Sequence, residues 1–489
     1  MDRSLPSTID YSKVLPLAAP AVARRRRFFP ANGTTYGPGT TNQIRIEIKS
    51  VNSLLDAQHS YLEFEFANNE LAAAVGFDLG GGNVFFDRFT VEQEGRVLSR
   101  CDDYNRLHAA ILQPAQDTFN SKITAGIHGG QRALNNPALL LNPSPPGTNV
   151  TPYIGARHNG NAQVAIGGTY RFTMPLTSGL FTQDKLIPLP LVNPNAPLTL
   201  VFDLTATVNI GVWSAIPAAA NGYTLRAVSY NAQLIEVGRD VLDQMIGMRA
   251  AMGGTLAISG QDWEHHQGVI AAGSNGEQPV RMPARRKSIK SLFWAAQSTN
   301  YGNGTVALTG PEACFNLSFA GGLNAVSMQM KVGSVVYPPT AIVLPGNSLG
   351  AVNPLGPQSR GEAIMELAKA FGSLGFKNPS GHLNTLGYMS CNVAANLSDG
   401  DNGLGGVDNV PLASGKVAVC PFGIDLEAFQ HTAIESGVDT KTLSLESNLL
   451  LDCGTAAAGS GGEAKNVHMW ILYDQHYYFN HDGSVTISN

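Results

Sequence analysis

Residues 170–204, YRFTMPLTSGLFTQDKLIPLPLVNPNAPLTLVFDL, contain the pattern that decides the fold. Apolar and polar residues alternate at 170–174, and apolar residues recur at every second position from Leu198 to Leu204. A period of two is typical of a β-strand with one buried face. Between the strands, residues 177–186 can form one or two helical turns, and the prolines that follow exclude a longer helix. The stretch therefore predicts a strand, a compact crossing and a second strand.

The same pattern recurs roughly 240 residues later, as a strand, a short helical crossing and an alternating strand. Two other features also repeat in order: a long alternating run with a glycine turn and a following helix, and a strand that closes each half. The matched ranges are 170–204 with 417–451, 85–112 with 325–374, and 223–237 with 466–480. We expect two copies of one β-rich domain.

Length and composition agree with this division. A chain of 489 residues is long enough for two cores. Only 14% of the residues are charged, whereas there are 53 glycines and 28 prolines, a balance that favours an all-β protein. We predict an N-terminal arm at 1–40, a first domain at 41–237, a linking helix at 238–254 and a second domain at 255–489.

The charge distribution singles out the predicted arm. The formal net charge of −5 excludes a chain that binds nucleic acid through its overall field. Locally, however, four consecutive arginines, Arg24, Arg25, Arg26 and Arg27, precede Phe28 and Phe29. Such a cluster can anchor a phosphate-bearing polymer, lipid headgroups or an acidic partner. A solvated run of charge is an equally good interpretation.

The cysteines and the N-terminal residues concern the cellular compartment. The five cysteines are widely spaced and include no CxxC pair, so reduced and buried thiols are expected rather than a disulfide framework. The first residues lack the apolar core of a signal peptide, and no apolar run is long enough to span a membrane. We expect synthesis in a cytosol-like compartment without a secretory signal.

Histidines provide the best candidates for a chemical site. His265 and His266 occur near Asp262 and Glu264, and a second group comprises His476, His481, Asp474 and Asp482. Neighbouring histidines on a strand point to opposite faces and cannot chelate one ion together. The sequence also lacks the serine-hydrolase, zinc-protease and phosphate-loop motifs. We therefore expect no metal, no cofactor and no enzymatic activity.

Four segments together resemble the double jelly-roll major capsid proteins of icosahedral DNA viruses, of the virophage and polinton-like type. The resemblance covers the chain from about residue 40 onward. The segments are FFDRFTVEQEGRVLSRCDDYNRLHAAIL (85–112), SGLFTQDKLIPLPLV (178–192), RRKSIKSLFWAA (285–296) and PFGIDLEAFQHTAIESGVDTKTL (421–443).

This resemblance implies an all-β fold of two tandem eight-stranded jelly-roll β-sandwiches, with short helices in the connections. It also implies a structural protein that forms homotrimers of pseudo-hexagonal outline, which tile a virion capsid beside minor capsid and penton proteins. By analogy, the arm with Arg24–Arg27, Phe28 and Phe29 would lie on the inner side, against an internal membrane, a minor capsid protein or the genome.

Two alternatives stay open from the sequence. One is a carbohydrate-active or carbohydrate-binding protein of two β-sandwich domains, in which Trp263, Trp294 and Trp470 would line a groove. Aromatic residues on alternating strands more often pack in a core, which weakens that alternative. The other is a capsid protein with a single jelly roll and a projecting second domain.

Overall fold

A computed structural model describes most of the predicted sheet regions. The described residues are 21–71, 75–77, 81–112, 164, 166–183, 185–207, 210–213, 222–251, 253–298, 325, 327–344, 361–372, 422–427, 437–442, 446–453 and 464–488. Within these ranges no helix is long and apolar enough to cross a membrane. Residues 113–163, 345–360 and 373–421 lie outside these ranges.

The described residues are mainly β-strands. The strands are β1 (Ala21–Phe28), β2 (Thr35–Tyr36), β3 (Gln43–Ile48), β4 (Ser53–Asn68), β5 (Val75–Phe77), β6 (Phe86–Gln93), β7 (Arg96–Asp102), β8 (Thr169–Met174), β9 (Leu198–Leu204), β10 (Gly211–Trp213), β11 (Tyr223–Val237), β12 (Thr255–Ile270), β13 (Glu277–Arg281), β14 (Ile289–Ser298), β15 (Ser327–Val332), β16 (Val335–Val343), β17 (Phe422–Asp425), β18 (Ser447–Asp452), β19 (Lys465–Asn480) and β20 (Val485–Ser488).

Short helices occupy the connections between strands. Helix α1 (Tyr104–Arg106) continues as a π-helical segment, Leu107–Leu112. Helix α2 (Arg239–Ala251) lies between the two halves, and α3 (Gly361–Gly372) belongs to the second half. Two 3₁₀ segments, Gly81–Phe85 and Leu189–Leu191, complete the described helices.

The strand order is the same in both halves of the chain. In the first half, one sheet has the order β1-β11-β4-β8, with β2 also paired to β11, and the other has the order β3-β9-β6-β7. In the second half, the sheets have the orders β12-β19-β14-β17 and β13-β18-β15-β16. If the eight main strands of each half are numbered along the chain, both halves give 1-8-3-6 and 2-7-4-5. All of these pairings are antiparallel.

This repeated order is the double Greek key of a jelly roll, in which two four-stranded sheets face each other. The predicted all-β fold of two tandem jelly rolls is therefore confirmed, and so is the internal repeat that the sequence pattern indicated. Strands β1 and β2 pair with successive parts of β11 and together take the first position, whereas β5, β10 and β20 are additions to this plan. Since both halves have the same topology, the alternative with a single jelly roll and an unrelated projecting domain is wrong.

The predicted glycine turns are also present. Strands β6 and β7 are joined at Glu94 and Gly95, whose φ angles of 52° and 78° are both positive. A two-residue hairpin turn with positive φ at both positions matches the right-handed twist of the strands, and glycine adopts it without steric cost. The equivalent hairpin of the second half turns at Gly333, where φ is 59°.

Aromatic side chains fill the first core. Phe64 on β4 lies 5.5 Å, ring centre to ring centre, from Phe86 on β6, so these two rings join the facing sheets. Phe89 and Phe202 stack at 4.7 Å within the second sheet. All four rings are buried. Their contacts explain why the alternating pattern around residues 85 and 200 predicts strands so clearly.

The second core contains the tryptophans. Trp294 stacks on Phe422 at 4.7 Å, and its indole N–H points at the sulfur of Met328 at 3.1 Å. Helix α3 covers one end of this core through Phe371, whose ring lies 4.8 Å from that of Phe293. Trp263 and Trp470 are buried as well. The groove that a carbohydrate-binding protein would need is therefore not formed by these three tryptophans.

The structure corrects the sequence analysis in the region of the predicted arm. Residues 21–28 form strand β1, which pairs along its full length with β11 of the first jelly roll. Residues 35–36 form β2, which also pairs with β11. The sequence pattern did not predict β1, because arginines occupy both of its faces and leave no apolar alternation.

Candidate functional site: the seam between the jelly rolls and the basic edge strand

The two jelly rolls meet along a contact surface that contains buried polar groups, and we call this surface the seam. From the first jelly roll it includes the end of β7 and residues 178–180 of the crossing that precedes β9. From the second it includes β12 and β19. The seam brings together residues that are far apart in the sequence, as in the contact between Ser99 and Asp262, 163 positions apart.

Two glycines allow the closest approach at the seam. Gly179 of the crossing lies against Gly260 of β12, and a Cβ added to Gly260 would overlap the backbone carbonyl oxygen of Gly179. A Cβ added to Gly179 would lie 2.9 Å from the Cβ of Asp262, which is closer than real contacts allow. Because neither position has room for a side chain, the backbones of the two domains pack directly on each other.

Asp262 is the polar centre of the seam, and its side chain is fully buried. Its Oδ1 accepts hydrogen bonds of 3.0 Å from the Ser99 hydroxyl, the Gly179 backbone N–H and the Trp263 backbone N–H. Two of these donors belong to the first jelly roll. Burial raises the pKa of Asp262 above its ordinary value, because the hydrogen bonds only partly offset the loss of water.

Two glutamine side chains extend the seam on either side. Gln475 on β19 donates through Nε2 to the carbonyl oxygen of Leu98 at 2.7 Å. Gln93 on β6 donates to the carbonyl oxygen of Gly483 at 2.9 Å and accepts from the backbone N–H of Val485 at 2.6 Å. Because Gln93 and Gln475 are buried and bonded to the opposite domain, they fix the register in which the jelly rolls dock.

A cluster of one carboxylate and two imidazoles also spans the seam. Nδ1 of His265 on β12 lies 3.1 Å from Oδ2 of Asp103, which precedes α1 in the first jelly roll. Nε2 of His265 lies 3.1 Å from Nδ1 of His468 on β19. Burial lowers the pKa of His265 to about 4, and it lowers the pKa of His468 well below the ordinary value. Both imidazoles are therefore neutral near neutral pH.

A cleft of about 290 Å³ opens beside this cluster. Its lining includes Ser99 and Asp102 from the first jelly roll and His265, Arg286 and Tyr473 from the second. The guanidinium of Arg286 lies 3.9 Å above the ring of Tyr473 and donates to Glu264 at 2.6 Å. The cleft thus gives solvent a route to the edge of the seam.

The basic segment lies on a separate surface, which we call the basic edge strand, comprising β1 and Phe29. Arg24 pairs with Glu236 at 3.0 Å and Arg27 pairs with Glu63 at 3.5 Å. Arg25 lies over the ring of Tyr61 at 5.1 Å, and Arg26 lies over the ring of Phe28 at 5.0 Å. All four guanidinium-bearing residues are exposed.

The two phenylalanines of the predicted contact segment have different environments. Phe28 is 7% exposed and belongs to the first core, so it holds the strand in place. Phe29 is 65% exposed. The surface available to a partner therefore consists of four arginines and one aromatic ring.

Only one of the histidines considered in the sequence reaches a multi-residue cluster across the seam. His265 meets His468 and Asp103 rather than the predicted Asp262 and Glu264, whereas His266 pairs with Glu264 at 3.2 Å. In the second predicted group, Nδ1 of His476 contacts the Ser259 hydroxyl at 2.8 Å.

Asp474 of that second group has a different environment from His476. Its carboxylate lies 3.5 Å from the buried ammonium group of Lys290 and accepts a hydrogen bond of 2.5 Å from the Ser288 hydroxyl. The second group is therefore not assembled around one point. The sequence analysis did not select His468. Its position two residues before Trp470 on β19 places it on the same face as Trp470 and as His265, which pairs with Trp470.

Comparisons with known proteins support the fold. No protein-family model matches the chain, and no curated protein sequence matches it. Solved structures do match over nearly the whole length. The VP54 protein of PBCV-1, fitted into a cryo-EM reconstruction of the virophage Sputnik, is 11% identical with a TM-score of 0.55, and the match covers 98% of this chain and 99% of that one.

Two further structures agree. The Faustovirus major capsid protein is 8% identical with a TM-score of 0.56, covering 96% of this chain and 92% of that one. The Sputnik virophage structure solved by cryo-EM is 9% identical with a TM-score of 0.51, covering 100% and 93%. The chain therefore has the fold of the double jelly-roll major capsid proteins.

The close packing of the two glycines makes a direct prediction. Gly260→Ala should lower the free energy of unfolding by about 1–3 kcal/mol, because the new methyl group must displace the Gly179 backbone. Urea denaturation measures this change. Gly247→Ala in α2 is the matched control: nothing lies within 4 Å of its added Cβ, so the same substitution should stabilise the helix by about 0.5–1 kcal/mol. Equal effects at both positions would contradict the tight seam.

The buried carboxyl group predicts a pH-dependent difference. Burial raises the pKa of Asp262 in the folded state. As the pH rises from the ordinary pKa of an aspartate to this raised pKa, the unfolded chain loses its proton more easily than the folded one, and the folded state loses stability. Asp262→Asn keeps an acceptor oxygen and removes the ionisation. Its stability relative to the unsubstituted protein should improve from about pH 4 to about pH 7, by about 1.4 kcal/mol for each unit by which the pKa is raised.

Unfolding curves of both proteins across this pH range provide the measurement. Asp262→Ala is the companion variant, since it removes the acceptor for three donors and should be less stable than Asp262→Asn at every pH. A difference between Asp262→Asn and the unsubstituted protein that stays constant with pH would show that the carboxyl group is not perturbed by burial.

Proposed function

We propose that the protein is a major capsid protein that forms homotrimers with a pseudo-hexagonal outline, and that these trimers tile an icosahedral shell of a DNA virus. The single observation that carries this proposal is the match of both complete jelly rolls, at TM-scores of 0.55 and 0.56, to capsid structures over nearly the whole chain. The proposed place of the protein is the capsid of the virion, and its role is structural rather than enzymatic.

The seam supports this function in physical terms. A tile in a shell must keep a fixed shape, and direct backbone packing at Gly179 and Gly260 together with buried hydrogen bonds to Asp262 fixes one domain on the other. Three chains with two jelly rolls each would present six similar sandwiches around one axis, which gives the pseudo-hexagonal outline. We propose 41–237 and 255–489 as the main parts of the two domains and 238–254 as their link, with β1 and β2 from residues 1–40 belonging to the first jelly roll.

The basic edge strand supports a contact on the inner side of the shell. Four exposed arginines on the two faces of β1, with Phe29 beside them, concentrate positive charge at this edge of a protein whose overall charge is negative. We propose that Arg24–Arg27 and Phe29 face the anionic contents of the particle, either an internal membrane or the genome, while Phe28 anchors the strand in the core. Minor capsid and penton proteins are the proposed partners at the other edges of the tile.

The assembly state is the first test of this function. The purified protein should have three times the chain mass of 51.7 kDa by light scattering, and electron microscopy of the same sample should show particles of hexagonal outline. A stable monomer over the whole concentration range would contradict the proposal. A monomer that also bound glycans in a screen would favour the carbohydrate-binding alternative.

The basic edge strand has its own test. Replacement of Arg24, Arg25, Arg26 and Arg27 by glutamine should weaken binding to vesicles with anionic lipids, or to duplex DNA, by at least about tenfold at low salt, because each cation contributes roughly 1 kcal/mol near a charged surface. Co-sedimentation with each probe measures the loss and distinguishes the lipid from the nucleic acid.

A control removes the same number of charges elsewhere. Lys49, Arg96, Arg281 and Lys287 are also exposed, and their replacement by glutamine should leave binding nearly unchanged. If both fourfold variants lost binding equally, the effect would come from net charge and the proposed contact would be wrong. If neither lost binding, the basic edge strand would have no role in it.

A further inference from the structure

The cluster of Asp103, His265 and His468 is independent of the proposed capsid function. It is also well shielded from solvent, since 17% of the Asp103 side chain, 6% of the His265 side chain and 3% of the His468 side chain are exposed. One donor atom of each residue can be chosen so that all three lie within 4.8 Å of one another. Carboxylate oxygen and neutral imidazole nitrogen are both common ligands of zinc.

The donor atoms of the cluster lie near the spacing of a tetrahedral zinc site. Ligands about 2.1 Å from zinc stand roughly 3.4 Å from each other in tetrahedral geometry. Oδ2 of Asp103 lies 3.1 Å from Nδ1 of His265 and 3.9 Å from Nδ1 of His468, and the imidazoles approach to 3.1 Å through Nε2 of His265 and Nδ1 of His468. Nδ1 of His265 faces Asp103 whereas its Nε2 faces His468, so the His265 ring must turn to offer one nitrogen to an ion that the other two residues also bind.

The surroundings of Asp103 orient its carboxylate for this role. Its Oδ1 accepts a hydrogen bond from the guanidinium of Arg106, which leaves Oδ2 directed at the histidines. A ligating carboxylate held by a partner on its second oxygen is the usual arrangement at metal sites. Asp103 also has a positive φ of 49° immediately before α1, which places its side chain at the seam.

The two histidines are held by the sheet itself. His265 pairs with Trp470 across the β12 and β19 ladder, and His468 lies two residues from Trp470 on the same face. Their rings are nearly parallel, with centres 5.3 Å apart. The donors are therefore fixed on rigid strands, and such sites hold their geometry more precisely than sites on loops.

We propose that Asp103, His265 and His468 bind a zinc ion, or a similar divalent transition cation, that bridges the two jelly rolls across the seam. The first jelly roll supplies the carboxylate and the second supplies both imidazoles. Water from the adjacent cleft, which His265 also lines, takes the fourth position. The ion acts structurally, since it binds only when the two domains are docked and so stabilises the docked state.

The test uses the full chain in its assembled form. After treatment with a chelator and dialysis, the protein is equilibrated with zinc and its metal content is measured by mass spectrometry of the elements. We expect one zinc per chain. At a zinc concentration about a hundred times the Kd, thermal unfolding should shift upward by roughly 5 °C. Cobalt in place of zinc should give the intense visible absorption of a tetrahedral site with nitrogen and oxygen ligands.

Variants decide whether these three residues are responsible. The double variant His265→Ala/His468→Ala should lose the zinc-dependent shift and the cobalt spectrum. Asp103→Asn preserves the side-chain volume, and it should weaken zinc binding at least about tenfold while the chain still folds. For each variant, the unfolding temperature is compared with and without zinc. This comparison separates metal binding from any general loss of stability.

A matched control removes two other histidines. His59→Ala/His481→Ala changes exposed residues and should keep the stoichiometry and the thermal shift. The proposal would be overturned if the unsubstituted protein bound no zinc and showed no shift. It would also be overturned if the thermal shift persisted in the His265→Ala/His468→Ala variant, since zinc would then bind elsewhere on the protein.

Discussion

The contact of Gly179 with Gly260 is the constraint on which the rest of the architecture depends. Because two backbones touch there, the angle between the jelly rolls is set by main-chain atoms rather than by side chains that can change rotamer. Asp262 makes this contact specific, because its Oδ1 accepts hydrogen bonds from donors in both domains. The polar groups of the seam would be left unsatisfied by a shifted docking, and that cost selects one arrangement.

The polar groups of the seam also favour one docked arrangement of the two sandwiches. An apolar interface of the same size would allow sliding between many positions of nearly equal energy, whereas buried amides and carboxylates must meet their partners. Gln93 and Gln475 lie at different points along the seam, and each donates a hydrogen bond to a backbone carbonyl oxygen of the opposite domain. Rigidity of this kind is what the proposed role in a shell requires, and the proposed cation would add to it.

Much of the fold followed from the sequence, but little of the seam did. Strands such as β9 and the hairpin at Glu94 and Gly95 carry local signals, namely apolar alternation and a glycine turn. Strand β1 carries neither, because its pairing with β11 depends on main-chain hydrogen bonds while its arginines face solvent. The partners of His265 are Asp103 and His468. The two histidines are far apart in the sequence and meet because β12 pairs with β19.

Strand β1 has a further consequence for the protein before it meets any partner. Among the described residues β1 pairs only with β11, so its other side presents main-chain groups that could join another sheet. Identical chains approaching through this side would bring eight arginines together, and their mutual repulsion opposes fibril-like stacking. Edge-to-edge pairing of folded chains through β1 is therefore disfavoured.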